Sequence, residues 1–103
     1  MGNYILSKQA ETDIDLIVDF IAQDNLQSGL EFYDEVDRIC TLIGTMPDMG
    51  SIVDFIEVPE YRMFPIGRFR SYWVFYAMHD ETPMVARVFH VRQDIAGHLF
   101  GED

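Results

Sequence analysis

Arg70-Ser71-Tyr72-Trp73-Val74-Phe75-Tyr76-Ala77-Met78 is the stretch on which the fold reading turns. From Tyr72 to Tyr76 every residue is aromatic or β-branched, the types that suit a pleated surface and crowd a helix. The stretch reads as the clearest strand of the chain. Working outward, Gly67 marks a turn before it, and Arg62 to Ile66 forms a strand on the near side of that turn. On the far side His79-Asp80-Glu81-Thr82-Pro83 is turn-like, and Met84 to Val91 forms the last strand. Connections this short join neighbouring strands, so the three make an antiparallel meander. A short helix is expected in the tail from Gln93 to Phe100, despite Gly97.

Upstream the apolar period changes from two to that of a helix. Ala10, Ile14, Ile17, Val18 and Ile21 form one stripe, which predicts a first helix from about Lys8 to Gln23 with Ser7 as its N-cap. Asp24 and Asn25 break the pattern and can cap a second helix, whose stripe runs through Leu30, Tyr33, Val36, Cys40 and Ile43. Gly29 inside it costs roughly 1 kcal/mol of helix propensity. Gly44 and Pro47 are expected to end it. The link between the helices is short, so they should lie antiparallel as a hairpin. Tyr4 to Leu6 reads as a first strand, and Thr45 to Glu60, with Pro47, Gly50 and Pro59, as a loop crossing the surface. The expected fold is α+β: an N-terminal strand, an antiparallel two-helix hairpin, then a three-stranded antiparallel meander, with the hairpin packed on one sheet face.

The 103 residues, 49% of them hydrophobic, allow one domain spanning residues 1–103 with a real core, and exclude the disordered class. Cys40 is the single cysteine and has no internal disulfide partner. A small domain built for an oxidising compartment would carry several, so a cytoplasmic location is expected. No basic region followed by an apolar stretch opens the chain, so no signal peptide is expected, and no apolar run approaches the roughly 20 residues that cross a bilayer. The net charge of −11 is unevenly placed. Met1 to Glu60 holds 13 acids against Lys8 and Arg38, whereas Tyr61 to Asp103 holds five acids and five arginines. The chain reads as electrically two-sided.

With these elements in order, the local strings resemble the ParE/RelE toxin superfamily, and its ParE branch most. Tyr4-Ile5-Leu6-Ser7 followed by Ala10, Asp13, Ile14 and Ile17 looks like the family's first strand and first helix. Met46-Pro47-Asp48-Met49-Gly50 resembles the stop after its second helix, and Ser71-Tyr72-Trp73-Val74-Phe75-Tyr76 its central strand. Arg87-Val88-Phe89-His90-Val91-Arg92-Gln93-Asp94-Ile95 is similar to the last strand and tail of many ParE-type chains, and is the most specific piece. The resemblance covers nearly the whole chain. It implies a toxin of a type II toxin–antitoxin pair, forming a hetero-oligomer with a cognate ParD-like antitoxin and acting on DNA gyrase by direct binding. RelE-type relatives share the fold but cut messenger RNA in the ribosome.

Metal-free RNA cleavage needs a base, an acid and cations around the phosphorane. RelE-type toxins resemble one another in supplying lysines, arginines and a late tyrosine. Here Lys8 is the only lysine, Trp73 stands about where a RelE-type chain has an arginine, and no tyrosine follows Tyr76. A nuclease would have to use Arg87, His90 and Arg92. His90 with Asp94 can be read as a base and its orienting carboxylate, or as a partly buried strand residue and a helix cap. His79 and His98 are isolated, the three histidines lack zinc spacing, and no phosphate loop occurs. No cofactor, metal, membrane or direct nucleic-acid contact is expected. A third reading is a non-toxic relative that keeps the antitoxin contact.

Candidate contact residues follow from side-chain type. Arg68 and Arg70 share a strand face if the period of two holds, with Arg87 on the neighbouring strand and Arg62 on the other side. Such arginines suit a carboxylate-rich antitoxin segment, or serve in internal pairs. Eight Phe, five Tyr, one Trp and six Met exceed what a small core needs, so some should line a groove between hairpin and sheet edge. Phe20, Tyr33, Phe55, Phe64 and Trp73 are the candidates there, with His90 and Arg92 beside the arginines. The acids of the two helices read either as an ordinary solvated face or as one that repels nucleic acid and meets a basic partner.

Overall fold

The computed structural model describes residues 2–53 and 61–91. Ser7 starts the first helix as expected: its Oγ accepts from the Ala10 N–H at 3.0 Å and donates to the Ala86 carbonyl at 2.7 Å. The preceding strand β1 is Ile5–Leu6, and helix α1 runs Lys8–Asp24. Asn25 serves both helices. Its N–H donates to the Ile21 carbonyl, closing α1, and its Oδ1 accepts from the Ser28 N–H at 3.0 Å, opening α2 at Leu26–Thr45. One residue thus makes the hairpin bend. α2 passes through Gly44, where an end was expected, and stops before Pro47 begins a single 3-10 turn at Pro47–Met49.

Gly29 lies where the helices meet. A Cβ there would stand 2.9 Å from Ala22 Cβ and 3.1 Å from the Val18 carbonyl oxygen, so the propensity lost by glycine is exchanged for a close helix crossing.

The sheet holds five strands in the order β1-β5-β4-β3-β2, with β2 at Ser51–Ile52, β3 at Arg62–Ile66, β4 at Phe69–His79 and β5 at Thr82–His90. The three expected meander strands are all present and antiparallel. The sheet as a whole is mixed, because β1 joins the outer edge of β5 in parallel. β2 lies inside the segment read as a loop and pairs with β3 at Met63 and Arg62. Two-residue strands carry no detectable period, which explains why neither the direction of β1 nor the existence of β2 is visible in the pattern.

The hairpin packs on one face of the sheet. Ala10, Ile14, Phe32, Val36, Ile39 and Ile43 meet Ile66, Val74, Tyr76, Val85 and Val88 there. Phe32 is fully buried and meets Phe69 and Tyr72 edge-on, with ring centroids 5.1 and 5.2 Å away. The opposite face is apolar too, with Val53, Phe75 and Phe89 buried and Tyr61, Met63 and Trp73 packed against them. The continuous apolar run through β4 therefore reflects burial on both faces.

The β4–β5 turn is Asp80-Glu81, both at positive φ (50° and 67°), the twist a two-residue hairpin loop requires. Behind β4, Tyr76 ties down the segment after α2. Its buried hydroxyl donates to the Pro47 carbonyl at 2.7 Å and accepts from the Gly50 N–H at 3.0 Å. Tyr76→Phe keeps the ring but strands both backbone groups. We expect a loss of about 1–3 kcal/mol in urea unfolding, with binding of any partner to the hairpin unchanged.

Candidate functional site

The arginines expected to form one surface are distributed by the fold over several. Arg62 turns toward the segment after α2, where its Nη1 donates to the Asp48 and Gly50 carbonyls at 3.1 and 2.7 Å. Arg68 sits in the two-residue turn between β3 and β4, not on a strand, because Gly67 before it takes φ +47°. That turn tucks under α2. A Cβ on Gly67 would collide with the Glu35 carboxylate, which accepts from the Arg68 backbone N–H and pairs with Arg38 at 2.7 Å. The Arg68 guanidinium bonds Glu31, one helical turn earlier, and lies 4.7 Å from the centroid of the Phe69 ring. Arg70 is exposed on β4, and its carbonyl accepts from Trp73 Nε1 at 3.1 Å.

Arg87 points inward. Its Nε and Nη2 donate to the two oxygens of Asp13 at 2.7 and 2.9 Å, and Asp13 also accepts from the Val88 N–H at 3.0 Å. Side-chain exposure is 15% for Arg87 and 10% for Asp13. The Asp13 hydrogen bond raises the Arg87 pKa further, so its charge is permanent and matched on the spot. A register shift beside Phe75 makes Ala86 an extra residue in β5, and such bulges re-aim neighbouring side chains. His90 is half-buried and meets the Tyr72 ring edge-on at 5.0 Å. Arg92, Phe55, Asp94, His98 and the expected tail helix lie outside the described residues.

The aromatic candidates separate as well. Phe64 packs against the main core, and Trp73 lies half-buried on the sheet face away from the hairpin. Phe20 is 67% exposed on α1, at the mouth of an open cleft of about 760 Å³ beside Ile21, Asn25, Phe69 and Tyr72. Tyr33 is exposed on α2 and shares a shallow pocket with Leu6 of β1 and with Glu11 and Asp15 of α1. The expected groove between hairpin and sheet thus corresponds to the Phe20 cleft, at the end of the hairpin near Asn25. Phe69 and Tyr72 are its missed members. Their signal was present in the aromatic run of β4, but only the fold shows which end of that run borders the hairpin.

The free thiol of Cys40 is buried, and burial pushes it up to about 12, so it is no nucleophile at neutral pH. Among the described residues no cluster of histidine, cysteine or carboxylate side chains is arranged to hold a metal. No described helix is long and apolar enough to cross a membrane.

A parallel strand entering beside the last strand of a meander, with a helical hairpin on one face, is the RelE/ParE-like arrangement. The chain belongs to the ParE family: residues 4–95 match the ParE toxin of type II toxin–antitoxin systems, parDE. No curated protein matches it.

Three variants test this wiring. Asp13→Ala takes from the mostly buried Arg87 guanidinium the carboxylate that accepts two of its donors, and should remove about 3–5 kcal/mol of unfolding free energy. Replacing both Asp13 and Arg87 by leucine should recover only part of that, because the Val88 N–H still lacks its acceptor. The Glu35 carboxyl is held below its ordinary pKa, chiefly by the Arg38 hydrogen bond, so its stabilisation is complete above the unfolded carboxylate range and lost as pH falls through the folded value. Glu35→Gln should therefore flatten the decline of stability on acidification below about pH 4.5, leaving its shape near neutrality unchanged.

Proposed function

We propose that this toxin acts by binding DNA gyrase directly, and that a ParD-like antitoxin neutralises it in a hetero-oligomer in the cytoplasm. The observation that carries the reading is the ParE match across residues 4–95. The geometry of the cations supports it. Cleavage of RNA in the manner of RelE-type relatives requires cations with donors open to a phosphorane. Arg87 gives two donors to Asp13, Arg62 braces backbone carbonyls, and Arg68 is paired with Glu31. His90 lies edge-on to Tyr72, as a packed strand residue does.

In this reading the antitoxin uses exposed apolar residues rather than a common arginine face. Phe20, with the Phe69 and Tyr72 rings behind it, offers a site for an apolar side chain of the antitoxin. Arg70 and Trp73 provide a second, separate contact region on β4.

The test is a gyrase supercoiling and cleavage assay with the purified chain, freed of antitoxin. Loss of supercoiling with accumulation of broken DNA is the expected result. A folded protein that arrests growth yet leaves gyrase untouched would overturn the target, and primer extension on ribosome-bound messages would then reveal any RelE-like cleavage. Absence of growth arrest on expression alone would favour the non-toxic relative.

A further inference from the structure

An exposed side of the helical hairpin combines an apolar stripe with uncompensated acid. Leu26, Leu30 and Tyr33 recur at helical spacing on α2 and are 66%, 52% and 60% exposed. Leu30 and Tyr33 belong to the stripe expected to run along α2 into the core, yet neither is buried there, and none of the three lines the Phe20 cleft. Glu11 and Asp15 of α1 flank Tyr33 across the helix crossing. On α2, Asp34 and Asp37 each stand four residues after a member of the stripe, which places them along its length.

The charge here is not cancelled internally. Asp13, Glu31 and Glu35 are spent on Arg87, Arg68 and Arg38. Among the described residues Glu11, Asp15 and Asp34 have no ion-pair partner, and Asp37 accepts only the Tyr4 hydroxyl, at 2.5 Å. The two helices carry nine acids against Lys8 and Arg38.

We infer that the Leu26-Leu30-Tyr33 face of the hairpin is a docking surface for a basic amphipathic helix of a partner protein. Charge complementarity selects this occupant. A second copy of the chain would bring the same acids to an isologous contact, where they repel. Nucleic acid and anionic lipid are repelled for the same reason. An apolar stripe three to four residues apart is the imprint of helix-on-helix recognition, with leucine anchors on one side and Lys or Arg over the acid rim on the other. The surface is separate from the gyrase reading and from the Phe20 cleft.

The probe is a labelled synthetic helix of roughly 14 residues, about four turns, with Leu on one face and Lys elsewhere, followed by fluorescence anisotropy with the full chain. A peptide of identical composition, scrambled to abolish the stripe, serves as control. The ordered peptide should bind at least about tenfold more tightly than the scramble, the scale set by burying one leucine. Leu30→Ser should weaken it by about the same factor. The Asp15→Lys, Asp34→Lys double variant should abolish the salt dependence and most of the affinity. All three side chains are exposed, so circular dichroism should show these variants folded. Equal binding of ordered and scrambled peptides, or affinity indifferent to Leu30→Ser, would overturn the proposal and leave only non-specific attraction to an acidic protein.

Discussion

The carboxylate of Asp13 is the point at which the helical hairpin and the sheet are locked in register. It binds Arg87 with both oxygens and takes the Val88 N–H as well. A buried ion pair of this kind adds little stability beyond what apolar residues would give, but breaking it is expensive. Its value is therefore positional. α1 can slide or roll on β5 only by breaking the Asp13 bonds to the guanidinium and the edge amide together, so the apolar packing around Ile14 and Val88 is held to one alignment.

The same contact resolves a problem of the sheet edge. Among the described residues β5 is partnered on its outer side only by the two residues of β1, at Met84 and Val85. Beyond them its backbone would offer a template to any passing strand. Ser7 takes the Val85 carbonyl with its N–H and the Ala86 carbonyl with its hydroxyl, and Asp13 takes the Val88 N–H. The start of α1 thus caps the exposed edge with side chains instead of a third strand. One hydroxyl, at Ser7, opens the helix and closes the sheet. The bulge at Ala86 belongs to this arrangement, since it shifts the register beside the residue that must reach Asp13.

How much of this is legible in the sequence depends on distance along the chain. The helices are readable because Ala10, Ile14 and Ile17, or Val36, Cys40 and Ile43, repeat within a few residues of each other, and Ser7 and Asn25 announce their caps locally. The meander is readable for the same reason. What escapes is set by contacts between remote residues or by turns of special geometry. Period two puts Arg68 and Arg70 on one face, yet positive φ at Gly67 moves Arg68 out of the strand and under Glu31. Asp13 and Arg87 are 74 positions apart, and no local pattern joins them. A signal did exist, because Asp13 falls inside the stripe of Ala10, Ile14 and Ile17, and a carboxylate in an apolar stripe calls for a cation from elsewhere. The Phe20 cleft was anticipated in kind, but its floor of Phe69 and Tyr72 follows only from where β4 starts.

Folding also changes the meaning of the charge. In sequence the acids lie in the first part of the chain and the arginines in the second, which suggests a molecule with one acidic and one basic side. In space two of those arginines, Arg68 and Arg87, fold back onto acids of the helices, and Arg62 is occupied with the carbonyls after α2. The basic half is thus largely consumed as mortar between the halves. What remains outside is the surplus, and it is negative: Glu11, Asp15 and Asp34 on the hairpin face the solvent without a counter-charge among the described residues. Among the described meander arginines, Arg70 stays exposed without an ion pair. A patch of that kind repels phosphate and attracts basic groups, so locally it suits a basic protein segment better than nucleic acid.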